Sequence, residues 1–205
     1  IGNLISKVFY GGIIDTGCNN DEKRHGLTRY VGKSIVWFDT SANKKKSQKR
    51  TKGGSYINEE EKRIILEILD DLKSTGELKG LDIGIITGYS GQKELLRKSI
   101  KATGLDKIAS KIDINTLDAF QGRENDIIIY ITVRTRDSIG FQNEKERVNV
   151  AFSRAKKLLI VCGDKNFFYN FDDQDNKFVE IIDYISEEEE CEIIQCDGGK
   201  LFERE

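Results

Sequence analysis

The chain has 205 residues, of which 33 are lysine or arginine and 35 are aspartate or glutamate, so its formal net charge is −2. Hydrophobic residues make up 38% and charged residues 33%, a balance that fits one globular domain and excludes a collagen-like, coiled-coil or disordered chain. No apolar run approaches the ~18 residues that a membrane helix needs, and the first residues lack the pattern of a signal peptide. We therefore expect a cytoplasmic protein without a membrane partner.

The cysteines give no sign of a metal site. Cys18, Cys162, Cys191 and Cys196 form no C-x-x-C pair, and the chain has one histidine, so the usual ligand set for structural zinc is missing. Buried, reduced thiols are the expected state. Because the chain begins with Ile1 and has no methionine, we expect it to be part of a longer protein.

Short apolar runs rich in β-branched residues predict the strands. They lie at 34–40, 83–89, 112–116, 126–133 and 158–163, with a last strand at 191–196. Continuous apolar runs of this length are typical of strands that are buried on both faces of a parallel sheet.

Helical periodicity fills the segments between the strands. It predicts helices at 58–74, 91–103, 144–156 and around 175–186. The pairs Asn58/Glu61 and Asn143/Glu146 have the spacing of N-terminal capping residues. Alternating strands and helices predict an α/β fold, a mainly parallel sheet with helices on both faces. Residues 1–33 form an N-terminal segment that packs on this sheet, and residues 166–205 complete the same domain.

The chain lacks its own phosphate-binding P-loop. The segment GLTRYVGKS (26–34) has five residues between its glycines, where the motif has four, and no strand precedes it. Asp39 ends an apolar run as a magnesium ligand would, but Thr40 follows where a catalytic acid is expected. A complete nucleotide-hydrolysing site is therefore not expected in this chain.

Five segments in order carry a family resemblance. They are IGNLISKVFYGG (1–12), GGSYINEEE (53–61), GIITGYSGQ (84–92), INTLDAFQGREND (114–126) and ERVNVAFSRAKKLLIVCGD (146–164). Over residues 1–165 the chain resembles the second RecA-like domain of superfamily 1 helicases. The likeness is to the branch that includes the nonsense-mediated decay RNA helicase and the immunoglobulin-switch-region-binding helicase. It implies a RecA-like fold of the P-loop NTPase superfamily.

The turn at residues 121–124 is the predicted nucleotide contact. A glycine lets the backbone approach a phosphate, and an amide, a cation and a carboxylate surround it. The resemblance implies that Gly122 and Glu124 lie beside ATP, and that Gln121 and Arg123 link the ATP cleft to the nucleic acid. The alternative is a polar surface turn with an ion pair between Arg123 and Glu124 worth under about 1 kcal/mol.

Arg154 is the predicted catalytic residue. Helical spacing puts Arg147 and Arg154 on one face, while Val148, Phe152 and Ala155 pack inward. The resemblance implies that Arg154 is the arginine finger that reaches the γ-phosphate across the domain cleft. The alternative is an arginine whose stem covers the core while its head stays in water.

The resemblance also implies a track for single-stranded nucleic acid. Its predicted residues are Thr87, Thr116, Tyr89 and Gln92, since hydroxyls and amides at strand ends hold phosphates without reading sequence. Gly88 stands where the family usually has proline. The basic loop, residues 41–54, adds Lys44, Lys45 and Lys46 and no acid. Its alternative is a flexible, solvated loop.

These features together predict the second motor domain of an ATP-dependent superfamily 1 helicase or translocase. The expected partners are single-stranded DNA or RNA and the first RecA-like domain of the same parent chain. That first domain would supply the P-loop and the ligands of the Mg²⁺ that accompanies ATP, so the isolated chain is expected to be inactive. The alternative is a non-catalytic, helicase-like scaffold that binds nucleic acid or protein.

Overall fold

A computed structural model describes residues 1–14, 24–107 and 111–202. The main sheet consists of β1 (Ile35–Asp39), β4 (Asp82–Thr87), β5 (Lys111–Thr116), β6 (Asn125–Ile131), β7 (Ala155–Gly163) and β8 (Cys191–Gln195), and a small hairpin of β2 (Lys49–Arg50) and β3 (Tyr56–Ile57) lies apart from it. The helices are α1 (Gly2–Tyr10), α2 (Glu59–Ser74), α3 (Ser90–Thr103), α4 (Lys145–Ser153), α5 (Lys165–Tyr169) and α6 (Phe178–Glu187).

The main sheet is parallel throughout. Its strand order is β5-β4-β6-β7-β1-β8, and each neighbouring pair runs in the same direction. This confirms the predicted α/β class and the six predicted strands. All carboxyl ends of the strands therefore lie at one edge of the sheet, and all amino ends lie at the opposite edge.

The two faces of the sheet carry separate cores. Alternate residues of β6 point to opposite faces, so Ile127 and Ile129 pack with α2 and α3 while Ile128 and Tyr130 pack with α1, α4 and α6. Both sets are fully buried, which is why the strand reads as an unbroken apolar run. The expectation of helices on both faces is confirmed.

Two helices end where the sequence predicts, one at its amino end and one at its carboxyl end. Asn58 caps α2, because its side-chain oxygen accepts hydrogen bonds from the amides of Glu60 and Glu61. At the end of α3, Gly104 has a φ of 68°, a left-handed conformation that glycine adopts without strain.

The predicted N-terminal capping of α4 by Asn143 is wrong, although the helix begins within one residue of its predicted start. Residues 140–143 form a 3₁₀ turn, and the helix is preceded by Glu144 with no side-chain cap from Asn143. The reason is Gln142, which is buried, accepts from the hydroxyl of Tyr130 (2.5 Å) and donates to the carbonyl of Thr132 (3.0 Å). These contacts draw residues 140–143 onto the end of β6 before the helix begins.

The thiols in the described part of the chain are reduced. Cys162, Cys191 and Cys196 are free and buried, and burial raises the pKa of Cys191 to about 11. Cys18 lies outside the described residues.

Candidate nucleotide and nucleic-acid sites

The turn at residues 121–124 and Arg154 lie at the same edge of the sheet. The turn directly precedes β6, and Arg154 directly precedes β7. The two strands are neighbours with Asn125 opposite Ala155, and the amide of Asn125 donates to the carbonyl oxygen of Arg154 over 3.2 Å. The two segments predicted to contact the nucleotide are therefore adjacent in the fold, at the amino ends of the strands.

Arg154 is a half-buried cation at the end of α4. Its Nε donates to the carbonyl of Val150 (3.2 Å) and its Nη2 donates to the hydroxyl of Ser153 (2.9 Å). Among residues 1–14, 24–107 and 111–202, no carboxylate lies within 4.0 Å of it, whereas Arg147 on the same helix pairs with Glu144 over 3.1 Å. The charge of Arg154 is therefore not balanced by a carboxylate in the described part of the domain.

Gly122 has the backbone conformation that makes glycine useful here. Its φ is 78°, and nothing lies within 4 Å of the position that a β-carbon would occupy. Gln121 and Glu124 beside it are exposed. Arg123 pairs with Asp113 of β5 over 2.7 Å rather than with Glu124, so the alternative ion pair within the turn is not formed.

The segment from β5 to β6 joins the two edges of the sheet. It leaves β5 at the carboxyl edge, after Thr116, and reaches β6 at the amino edge, after Glu124. Phe120 in this segment is fully buried, and a β-carbon on Gly84 would lie 2.6 Å from its ring. Gly84 therefore makes room for the crossover to pack on the sheet.

The two threonines predicted for the nucleic-acid track lie side by side. Thr87 ends β4 and Thr116 ends β5, and they are opposite each other in register. Thr116 is half-exposed, whereas Thr87 is fully buried and its hydroxyl accepts from the amide of Tyr89 (3.3 Å). A phosphate contact through the hydroxyl of Thr116 stays a prediction, and the side chain of Thr87 is covered.

Tyr89 and Gln92, the weaker members of the predicted track, have covered side chains, which fits the alternative that Tyr89 simply packs within the domain. Gln92 is fully buried, and its amide accepts from the backbone N–H of Asn58 (2.8 Å) and donates to the carbonyl of Asn58 (3.1 Å). Tyr89 packs between the rings of Tyr56 and Phe141, with centroids 5.6 Å and 4.9 Å away. Burial raises the pKa of Tyr89 to about 12, opposed by the positive charge of Arg134.

Phe141 also explains the glycine at position 88. A β-carbon on Gly88 would lie 1.6 Å from the Cζ atom of Phe141. The ring takes the space that a side chain would need, so the departure from the family's proline has a local steric cause.

The basic loop is held to the rest of the domain by contacts along its length. Asn43 donates to Glu60 (2.7 Å), Lys46 pairs with the buried carboxylate of Asp164 (2.7 Å), and Gln48 exchanges two hydrogen bonds with Thr135. A nucleic-acid contact by this loop and its alternative, a flexible, solvated loop, both stay predictions. Lys44 and Lys45 are exposed, but Lys46 is engaged by Asp164 and is a poor candidate for a nucleic-acid contact.

Two further carboxylates are buried near the carboxyl edge. Asp39 accepts from the amide and hydroxyl of Ser41, the amide of Lys165 and the side chain of Gln195, so it is a structural residue. Glu61 is fully buried and accepts from the amide of Val133 (2.8 Å). Burial raises the pKa of Glu61 well above its ordinary value, against that hydrogen bond.

A groove of about 720 Å³ lies beside α2, lined by Lys45, Arg63, Leu66 and Leu105 among others, and away from Arg154. In the described ranges there is no cluster of three or more residues suited to hold a metal ion. Within the same ranges, no helix has both the length and the apolar character to cross a membrane.

Comparison with known proteins gives matches over most of the chain. Residues 1–166 match a protein family described as the AAA domain. Helicase SEN1 of Saccharomyces cerevisiae is 37% identical over 174 residues, which cover 80% of this chain and 8% of that protein. An uncharacterized ATP-dependent helicase of Methanocaldococcus jannaschii is 36% identical over 144 residues, 69% of this chain and 20% of that protein.

The regulator of nonsense transcripts 1 of Caenorhabditis elegans is 32% identical over 167 residues, 78% of this chain and 15% of that protein. The chain thus spans between 8% and 20% of the length of these three relatives. A crystal structure of the C-terminal domain of a "possible DNA helicase" from Lactobacillus plantarum aligns with 80% of this chain at a TM-score of 0.45 and 13% identity.

The parallel sheet with helices on both faces is a RecA-like α/β fold, and the family match and the three relatives by sequence belong to one class of RecA-like protein. The chain belongs to the superfamily 1 helicases, in the branch of the regulators of nonsense transcripts and the SEN1 helicases, and it is a helicase domain.

Proposed function

We propose that this chain is the second RecA-like motor domain of an ATP-dependent helicase or translocase that moves along single-stranded nucleic acid. In this proposal ATP and Mg²⁺ bind between this domain and a first RecA-like domain of the same protein. The single observation that carries it is Arg154, which lies beside Gly122 and Glu124 at one edge of the sheet with no carboxylate within 4.0 Å among the described residues.

Arg154 suits the role of arginine finger because of its chemistry and its place. A guanidinium is planar and permanently charged, so it can donate two hydrogen bonds to the equatorial oxygens of a phosphoryl group. It is half-buried, and its hydrogen-bond partners in the described part of the chain are Val150 and Ser153. An arginine already neutralised by an internal carboxylate would gain less from an incoming phosphate.

The turn at residues 121–124 fits the edge of a nucleotide. Gly122 has open space where a side chain would stand, so its backbone can approach a phosphate closely. The exposed carboxylate of Glu124 can accept a hydrogen bond from a ribose hydroxyl. Bound ATP would supply the phosphoryl chemistry, and the P-loop lysine and the Mg²⁺ ligands would come from the first domain.

The nucleic-acid track belongs to the opposite edge of the sheet in this proposal. The half-exposed hydroxyl of Thr116 can donate to a backbone phosphate, and the exposed Lys44 and Lys45 add electrostatic attraction. Contacts of this kind hold a strand without reading its sequence. Because Thr87 and Gln92 are covered, any contact at those positions has to come from the backbone.

The test is ATP hydrolysis by the full-length protein that contains this domain, with and without single-stranded oligonucleotides. We expect a rate that rises with added strand, and no hydrolysis above background from residues 1–205 alone. A strand-stimulated, stoichiometric ATPase from the isolated chain would contradict a shared site. A full-length protein that binds strand but never hydrolyses ATP would favour the non-catalytic scaffold.

A further inference from the structure

The chain makes an uncommon turn directly after β6. Val133 has a φ of 68°, and the amide of Arg134 donates to the carbonyl of Thr132 over 2.8 Å. This is the γ-turn with positive φ, which is rare and strained. A β-branched residue seldom adopts this conformation, so other groups must hold the turn in place.

The start of α2 holds the turn from both sides. Glu61 accepts from the amide of Val133 (2.8 Å), and Asn58 donates from Nδ2 to the carbonyl of Val133 (3.3 Å) and to Glu61 (3.0 Å). The same Nδ2 also donates to the carbonyl of Lys46 in the basic loop (2.9 Å). Asn58, Glu61 and Val133 are fully buried. We name Asn58 and Glu61 the α2 clamp.

The clamp is itself fixed by the neighbouring helix. The side-chain amide of Gln92, in the first turn of α3, makes two hydrogen bonds with the backbone of Asn58, at 2.8 Å and 3.1 Å. Three segments that are far apart in the sequence, the first turn of α3, the end of β6 and the start of α2, are therefore joined at the carboxyl edge of the sheet.

The turn at Val133 also determines where nearby charged groups lie at the surface. Thr135 lies two residues beyond Val133. Its backbone N–H donates to the side-chain oxygen of Gln48 (3.0 Å), and its hydroxyl accepts from the backbone N–H of Gln48 (3.3 Å). Gln48 is followed by the exposed Lys49 and Arg50, and Thr135 by the exposed Arg136. Fixing Val133 therefore fixes the mutual position of two basic segments.

We propose that Asn58 and Glu61 are positioning residues for single-strand binding, because they hold the turn at Val133 and set the basic loop beside Arg136. They do so directly, through the hydrogen bond from Asn58 to Lys46, and indirectly, through Thr135 and Gln48. The inference rests on the proposed function. The α2 clamp touches neither strand nor nucleotide, and it acts only through the placement of the cations.

The experiment measures strand binding in the full-length protein by fluorescence anisotropy over a range of salt concentrations. Asn58→Ser keeps a good N-cap for α2 but loses the donor to Val133. Glu61→Leu keeps the volume and removes the acceptor. Each should raise Kd about tenfold, because without the clamp the turn and the basic loop would be in their binding-competent geometry only about a tenth of the time, and each should flatten the dependence of Kd on salt.

A second readout separates positioning from plain stability. The strand concentration that half-maximally stimulates ATPase should rise in step with Kd, while turnover at saturating strand changes less than about twofold, since the chemistry is at the opposite edge. Glu61→Gln retains a carbonyl oxygen for Val133 and should lose less affinity than Glu61→Leu.

Asn176→Ser is the matched control. Asn176 is also a buried asparagine, and it donates to the carbonyls of Phe168 (2.7 Å) and Phe171 (3.0 Å) and accepts from the amide of Phe178 (3.1 Å), on the opposite face of the sheet. It should lower the melting temperature without changing Kd. If Asn58→Ser behaves in the same way, the α2 clamp is only structural and the inference is wrong, even where Glu61→Leu fails to fold.

The outcome also distinguishes this inference from the proposed function. If the full-length protein shows neither strand binding nor strand-stimulated ATPase, both the proposed function and the role of the α2 clamp are refuted. If it shows both activities and Asn58→Ser leaves Kd unchanged, only the role of the α2 clamp is refuted.

Discussion

Replacement of Arg154 by alanine in the full-length protein is the strongest test of the proposed site. The change removes a cation that has no carboxylate within 4.0 Å among the described residues, together with hydrogen bonds to Val150 (3.2 Å) and Ser153 (2.9 Å). We expect this change to have a small effect on the stability of the fold and a large effect on ATP turnover.

The cost to the fold should be small. Two local hydrogen bonds are worth about 0.5–1.5 kcal/mol each at most, and both join residues of the same helix end. The packing of Val148 and Phe152 in the core does not involve the guanidinium. An arginine finger, by contrast, contributes about 10³ to 10⁵ in turnover, which is roughly 4–7 kcal/mol of transition-state stabilisation.

The assay is steady-state ATPase at saturating single strand, combined with strand affinity and a melting curve. Turnover should fall by about 10³ or more, while strand affinity and melting change little. Arg154→Lys should recover little activity, because an ammonium keeps the charge but loses the planar fork. Arg97→Ala is the control, since Arg97 also donates to a backbone carbonyl, that of Ile114 (2.8 Å).

A fall of less than about tenfold in a folded protein would refute the reasoning, since it corresponds to under about 1.4 kcal/mol. An effect of that size is within reach of a surface arginine that does not touch the nucleotide. An equal loss in Arg97→Ala would also refute it, because the effect would then not be specific to the edge beside Gly122.

Three more predictions concern the opposite edge. Replacing Lys44 and Lys45 by glutamine should reduce the slope of log Kd against log salt by about 0.7 for each phosphate that the loop no longer neutralises, and an unchanged slope would exclude this part of the basic loop from the track. Lys46→Gln should instead lower stability, because it deprives the buried carboxylate of Asp164 of its cation. Gly88→Ala should destabilise the fold by about 1–3 kcal/mol, since its β-carbon would lie 1.6 Å from Phe141. Gly53→Ala, where the nearest atom is 3.9 Å away, is the control, and equal unfolding free energies for the two variants would contradict the steric explanation.

The parts of the fold that could be predicted are those with a local cause. Strands buried on both faces, such as β6, read as apolar runs, and the capping of α2 by Asn58 depends on residues two and three positions away. The capping of α4 could not be predicted in the same way. It depends on Gln142 reaching Tyr130 and Thr132 at the end of β6, an interaction that competes with the capping signal at Asn143.

The same distinction applies to the site. The order of the motifs predicted Arg154 and Gly122 as site residues, and the fold brings their segments together because β6 and β7 are neighbours. The burial of Gln92 was not predictable, because its partner is the backbone of Asn58 in another segment. The S-x-x-N-x-x-E pattern was the available signal for Glu61. No sequence pattern predicts that Val133, the residue whose amide Glu61 binds, has a positive φ.

The position of β1 has a consequence for how the domain folds and for how it can be shortened. β1 lies between β7 and β8, so both of its neighbours are synthesised long after it. Pairing between strands so far apart in the sequence makes folding slow. Both edges of β1 stay unpaired until most of the domain has been synthesised. The family match ends at residue 166, before β8. A version of the protein cut at that boundary would leave β1 as an open edge strand, a site where chains associate and aggregate.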